Sequence, residues 1–120
     1  MTNTLHPNDL KQFTGSQDFF RHSINRNVVY TEGAQFLAEK AGAYWLLDTV
    51  AITQVHEPAV QREPFQAWKL KVNEDNTALL TCDDGNGRIV YTEQIAYTDF
   101  PLPEVQLYCI DSTILLPSEY

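Results

Sequence analysis

Phe65-Gln66-Ala67-Trp68-Lys69-Leu70-Lys71-Val72 is where the chain changes its period. Gln66, Trp68, Leu70 and Val72 alternate with Ala67, Lys69 and Lys71, the repeat of two that a strand with one covered and one wet face requires. Asn73-Glu74-Asp75-Asn76 follows with turn chemistry, and a second strand is expected over 77–83. Asp83-Asp84-Gly85-Asn86-Gly87 is the strongest local signal, because Asp-Gly and Asn-Gly supply the positive φ angles of tight hairpins; strand 88–97 should therefore return antiparallel beside 77–83. Phe100-Pro101-Leu102-Pro103 cannot continue a ladder, so a further strand is expected from Glu104 to Ile110. Asp111-Ser112 then turns into Thr113-Ile114-Leu115-Leu116, stopped by Pro117. The buried face should take Trp68, Leu70, Leu80, Ile89, Tyr91, Leu107 and Leu115, and a bulge at Asp83 or Pro101 would flip a face.

Before residue 62 the pattern is helical. Pro7 or Asn8 can open a short helix that ends near Phe13, broken by Thr14-Gly15. Ser16 can cap a second over Gln17 to Ile24, with Phe19, Phe20 and Ile24 toward one side. Val28-Val29-Tyr30 is too short to classify. Thr31 is an N-cap with Glu32 in the first turn, where a carboxylate meets the positive end of the helix dipole. Ala34, Leu37, Ala38 and Ala41 then form a stripe at helical spacing, and Gly42 suits the left-handed residue that closes a helix. The run from Tyr44 to His56 is apolar nearly all round, as a central helix would be. Its β-branched residues also permit a buried strand, but it exceeds ordinary strand length. Pro58 ends it, and residues 59–64 make a short connection. The expected fold is α+β: N-terminal helices packed on one face of a C-terminal antiparallel sheet of four to five strands. Both parts belong to one domain, 1–62 mainly helical and 63–120 the sheet.

A chain of 120 residues with 43% apolar side chains has the material for one core. No run approaches the ~20 apolar residues of a membrane helix, and Met1-Thr2-Asn3-Thr4-Leu5-His6-Pro7 lacks the basic start and apolar centre of a signal peptide. A soluble, cytoplasmic protein is expected. Residues 1–71 hold seven acids and seven bases, whereas residues 72–120 hold nine acids and one base, Arg88, so all of the net charge of −8 lies there. A field of that sign argues against direct nucleic-acid or membrane binding and leaves a basic partner open. Cys82 and Cys109 lie in apolar stretches with no Cys or His at metal spacing; they read as buried thiols, with a disulfide left open.

No catalytic or ligand motif rises above chance. His6, His22 and His56 are the residues that titrate near neutrality, and their spacing supports no catalytic set, metal site or cofactor. Asp48 and His56 stand eight residues apart, about 12 Å along a helix, too far to share a proton. His56 is placed to meet the negative end of the helix dipole. Arg21-His22 could bind an anion or lie on a solvated helix side. Asp83-Asp84-Gly85-Asn86-Gly87 has clustered oxygens beside Gly but lacks the rest of a calcium loop, and glycine-rich phosphate loops and nucleophile elbows are absent from the sequence. Asp48, the one charge between Gly42 and Ile52, should accept hydrogen bonds from backbone amides or from Arg21, Arg26 or Arg62.

Val29-Tyr30-Thr31-Glu32-Gly33, Gly42-Ala43-Tyr44-Trp45-Leu46-Leu47-Asp48, Phe65-Gln66-Ala67-Trp68-Lys69-Leu70, Asp83-Asp84-Gly85-Asn86-Gly87 and Thr113-Ile114-Leu115-Leu116-Pro117-Ser118-Glu119-Tyr120 together resemble a small uncharacterised bacterial family, a domain of unknown function found in bacteria, including on plasmids and other mobile elements. The resemblance runs from about Leu10 to Tyr120, with Gly42–Asp48 and the closing Leu-Pro-Ser-Glu-Tyr its most specific parts. It implies a bacterial, intracellular, single-domain protein and transfers no catalytic residue.

These readings favour a non-enzymatic accessory or binding protein that acts through a protein partner or as a homo-oligomer. In one version the acids imitate the charge of DNA and fill the basic site of a DNA-handling enzyme, which requires many carboxylates on one face. The alternative is a small enzyme or ligand-binding domain with a pocket between helices and sheet. The binding candidates are Trp45, Asp48, His56 and Trp68, since Asp and His on an otherwise apolar helix either satisfy buried partners or line a cavity.

Overall fold

In a computed structural model of the chain, which describes residues 5–14 and 18–120, the alternating stretch at Phe65 is an inner strand of a seven-stranded sheet. The elements run α1 (Pro7–Lys11), β1 (Phe19–Arg21), β2 (Val29–Thr31), α2 (Glu32–Ala41), α3 (Tyr44–His56), α4 (Pro58–Gln61), β3 (Phe65–Val72), β4 (Ala78–Asp83), β5 (Ile89–Ile95), β6 (Glu104–Ile110) and β7 (Thr113–Leu115), then a 3-10 turn over Pro117–Glu119. The strand order is β1-β2-β7-β6-β3-β4-β5. The α+β class holds, but the sheet is larger than four to five strands and is mixed, because β2 runs parallel to β7. The helices are not a separate N-terminal block, since β1 and β2 lie among them.

Helix 17–24 is the main correction. Residues 19–21 instead form a strand that pairs antiparallel with β2, Phe20 opposite Tyr30, their ring centroids 5.7 Å apart. His22 N–H donating to the Val28 carbonyl (2.9 Å) closes this hairpin. Phe19 and Phe20 fit either period; the unclassified Val29-Tyr30 needed a partner strand, and tertiary pairing decided between them. The expected Ser16 cap lies outside the described residues. Elsewhere the local chemistry holds: the Thr31 hydroxyl accepts from the Ala34 N–H (3.2 Å), and Gly42 takes the left-handed conformation at φ 62° after α2.

One contiguous core fills the space between helices and sheet, with Trp68, Leu70, Leu80 and Leu107 meeting Leu37, Leu46, Leu47 and Val50. Two expected core residues face outward. Cys82 pairs with Tyr91 but Asp83 pairs with Ile89, so Val90 is an extra, bulged residue that turns Ile89 to solvent at 57% exposure. The two-residue turn Asp111-Ser112, both at positive φ, sets Ile114 opposite the buried Cys109 and leaves Leu115 opposite Tyr108 on the other face. That other face carries an aromatic cluster. Phe65, Tyr108 and Tyr120 meet with centroids 4.9–5.6 Å apart.

The first and last parts of the chain are joined at β2–β7 and again where the Thr31 hydroxyl donates to Glu119 Oε1 at 2.6 Å. Glu119 Oε2 accepts from Gly33 N–H (3.2 Å), so the carboxylate sits over the start of α2, where the dipole favours it.

Candidate functional site

Of the four sequence candidates, Trp68 drops out first: it is 1% exposed in the core, its indole N–H donating to Gln66 Oε1 (3.0 Å). Gln66, itself 3% exposed, exchanges two 2.8 Å amide hydrogen bonds with Gln54 of α3 and reaches the carbonyls of Val60 and Glu63. This amide pair clamps helix to sheet.

The other three candidates lie on α3. Leu46, Leu47, Val50, Ala51 and Thr53 face inward. At 100° per residue, Tyr44, Asp48, Ile52 and Val55 form the opposite stripe, bordered along one side by Trp45 and His56. The expectation of a central helix is corrected: α3 belongs to the outer layer, with Tyr44 41%, Ile52 38% and Val55 54% exposed. A surface helix normally keeps a polar side toward water. This one has a single carboxylate, Asp48, among the outward-facing residues before His56.

Asp48 pairs with none of the three arginines proposed for it. Its Oδ1 lies 2.8 Å from Nε2 of His22, which is 3% exposed, while the Asp48 side chain is 44% exposed. His22 Nδ1 accepts from the backbone N–H groups of Ile24 and Asn25, both at 3.1 Å. The proton therefore sits on Nε2 and is donated to Asp48. Both ring nitrogens are engaged, which leaves no lone pair for general-base work and no face for an anion. Asn25 Nδ2 donates to the Ala51 carbonyl (2.8 Å), so the β1–β2 loop is fastened along α3 at two points, with Ile24 between them 67% exposed. At the N-terminal end of the stripe the Tyr44 hydroxyl donates to Glu39 Oε1 (3.2 Å). His56 is exposed in the last turn. Trp45 borders a shallow depression of about 260 Å³ shared with Tyr97, Thr98 and Asp99.

The remaining chemistry is consumed internally. In the β4–β5 turn Asp83 accepts from Gly85 N–H (2.7 Å), and Asp84 accepts from Asn86 N–H (2.9 Å) and from Arg88 Nε (3.3 Å), so both carboxylates are engaged within the turn. The Asn86 and Arg88 bonds hold the Asp84 carboxyl below its usual range. Cys82 and Cys109 are free and flank β3 on opposite sides, one opposite Trp68 and the other opposite Gln66, so two strand spacings and two residues of offset set them about 12 Å apart, beyond disulfide reach. Burial pushes both thiols up to about 12. Among the described residues no group of three His, Cys, Asp or Glu is arranged to hold a metal. No helix among them is long and apolar enough to cross a membrane. Six of the nine acids of the C-terminal part divide between the two ends of the sheet, Glu74, Asp75 and Glu104 at one and Asp83, Asp84 and Asp111 at the other, so these six make no single DNA-like array.

The molecule is thus a two-layer α+β protein whose outer helix layer presents an apolar stripe. The chain belongs to DUF6876, a family of unknown function, whose model matches residues 4–120. No curated protein and no solved structure matches it.

Proposed function

We propose that this is a small non-enzymatic accessory protein of bacteria, including their plasmids and mobile elements, that works in the cytoplasm through protein contacts made by the outer stripe of α3. The observation that carries this reading is a solvent-side helix stripe of Tyr44, Ile52 and Val55, extended by Ile24, where water-facing polar residues belong. A pocket-based enzyme or ligand-binding domain is less well supported, because large side chains fill the space between helices and sheet and both His22 nitrogens are engaged. The test compares immobilised parent with the double variant Ile52→Ser/Val55→Ser in a lysate of the source bacterium. Proteins retained by the parent and lost by the variant are expected. Identical retained sets would remove the stripe from the function.

A further inference from the structure

The stripe also specifies what covers it. Its centre is one carboxylate among apolar groups: Asp48 Oδ1 is fixed by His22, in a side chain that remains 44% exposed. One turn toward the N-terminus stands Tyr44, hydrogen-bonded to the second carboxylate, Glu39. Apolar contacts on either side of a pinned anion suit a segment with apolar residues at helical spacing and a cation between them. The two carboxylates at the stripe, Asp48 and Glu39, favour such a cationic segment over an apolar or acidic one.

Resting on the binding role argued above, we propose that the α3 stripe binds a cationic amphipathic helix, its apolar face on Tyr44, Ile52, Val55 and Ile24 and a Lys or Arg on the Asp48 carboxylate. The second cation position lies at Tyr44, where a ring face and the Glu39 carboxylate are adjacent. This is helix-on-helix recognition, with shape supplied by the stripe and register by Asp48.

The probe is a synthetic leucine–lysine peptide of about four helical turns with one apolar face, compared with a scrambled peptide of the same composition that has no face. Anisotropy of the labelled peptide and a blue shift of Trp45 emission report binding at about 150 mM salt. The faced peptide should bind at least about tenfold more tightly than the scrambled one. Ile52→Ser/Val55→Ser should abolish that difference, and Asp48→Asn, which keeps the acceptor for His22 and removes only the charge, should weaken binding about tenfold. Tyr108→Ser/Tyr120→Ser, on the far face of the sheet, should change nothing. Equal binding of both peptides, or indifference to the α3 variants, would reduce the interaction to bulk charge and overturn the proposal. A parent that sediments as a dimer and becomes monomeric in Ile52→Ser/Val55→Ser would give the stripe to a second copy and also overturn it. Lysate proteins lost on the serine variant, with no binding of the faced peptide, would overturn the cationic helix alone and spare the binding role.

Discussion

Gln66→Leu removes the clamp between α3 and the sheet at almost constant volume, so its effect isolates hydrogen bonding from packing. Gln66 Oε1 accepts from Trp68 Nε1 (3.0 Å) and Gln54 Nε2 (2.8 Å), and its Nε2 faces the Gln54, Val60 and Glu63 oxygens. Leucine orphans the Trp68 N–H at a site 1% exposed, at about 1–3 kcal/mol for a buried donor, and strips one partner from each of two carbonyls. Gln54 is only half-buried and keeps the Val50 carbonyl, so its amide finds water at little cost. The expected loss is about 3 kcal/mol. At a urea slope of about 2 kcal/mol per molar this moves the midpoint down by roughly 1.5 M with the slope unchanged. Gln54→Leu, which leaves Trp68 satisfied, should cost about 1 kcal/mol, and the double variant should cost less than the sum because the two amides are one unit. A midpoint shift below about 0.3 M for Gln66→Leu would refute the claim that this network holds the layers together.

Asp48→Ala should cost about 1–2 kcal/mol by leaving the buried His22 N–H without its acceptor, and hydrogen exchange at the Ile24 and Asn25 amides should rise, since they donate to the ring it steadies. Stability should fall at alkaline pH. Burial holds Cys82 and Cys109 protonated to about 12 against an ordinary 9.0, and burial with the bond to Glu93 raises Tyr91 from 10.0 to about 12. The folded chain thus retains protons that the unfolded chain releases, so urea midpoints should be level up to pH 9, then decline toward 12. Gly33→Ala would set a Cβ 2.5 Å from Glu119 Oε1 and 2.8 Å from a Leu116 methyl, and a thermal melt should show a loss of about 1–3 kcal/mol.

What was legible in the sequence was local. β3 to β6 announce themselves by alternation and by turns whose carboxylates and glycines do their work within five residues, and β7 by the Asp111-Ser112 turn before it and Pro117 after it. Three-residue strands have no period, and β1 and β2, unlike β7, had no flanking turn chemistry that marked them as strands; the pairing of Val29 with Thr113 joins stretches far apart in the chain. Ile89 went astray by the single residue that the Val90 bulge inserts, although a flip near Asp83 could be foreseen. The all-round apolarity of α3 was visible, but its meaning depends on how many layers lie outside it, which no periodicity encodes. His22 was missed as the partner of Asp48 because it stood beside Arg21 in what read as a solvated helix, 26 residues away.

The β2–β7 seam carries a consequence for synthesis. Thr31 caps α2 locally but waits for the Glu119 carboxylate 88 residues downstream, and β2 cannot pair with β7 until β7 has been made. At ribosomal speed that interval is on the order of ten seconds. During it the first hairpin can fasten its loop to α3 but has no β7 beside Val29 and Tyr30, while β3, β4 and β5 can already close by sequential hairpins. The nascent chain is therefore exposed to wrong pairing at β1 and β2 until β7 emerges, so a chaperone that shields the emerging chain would serve this protein at residues 19–31.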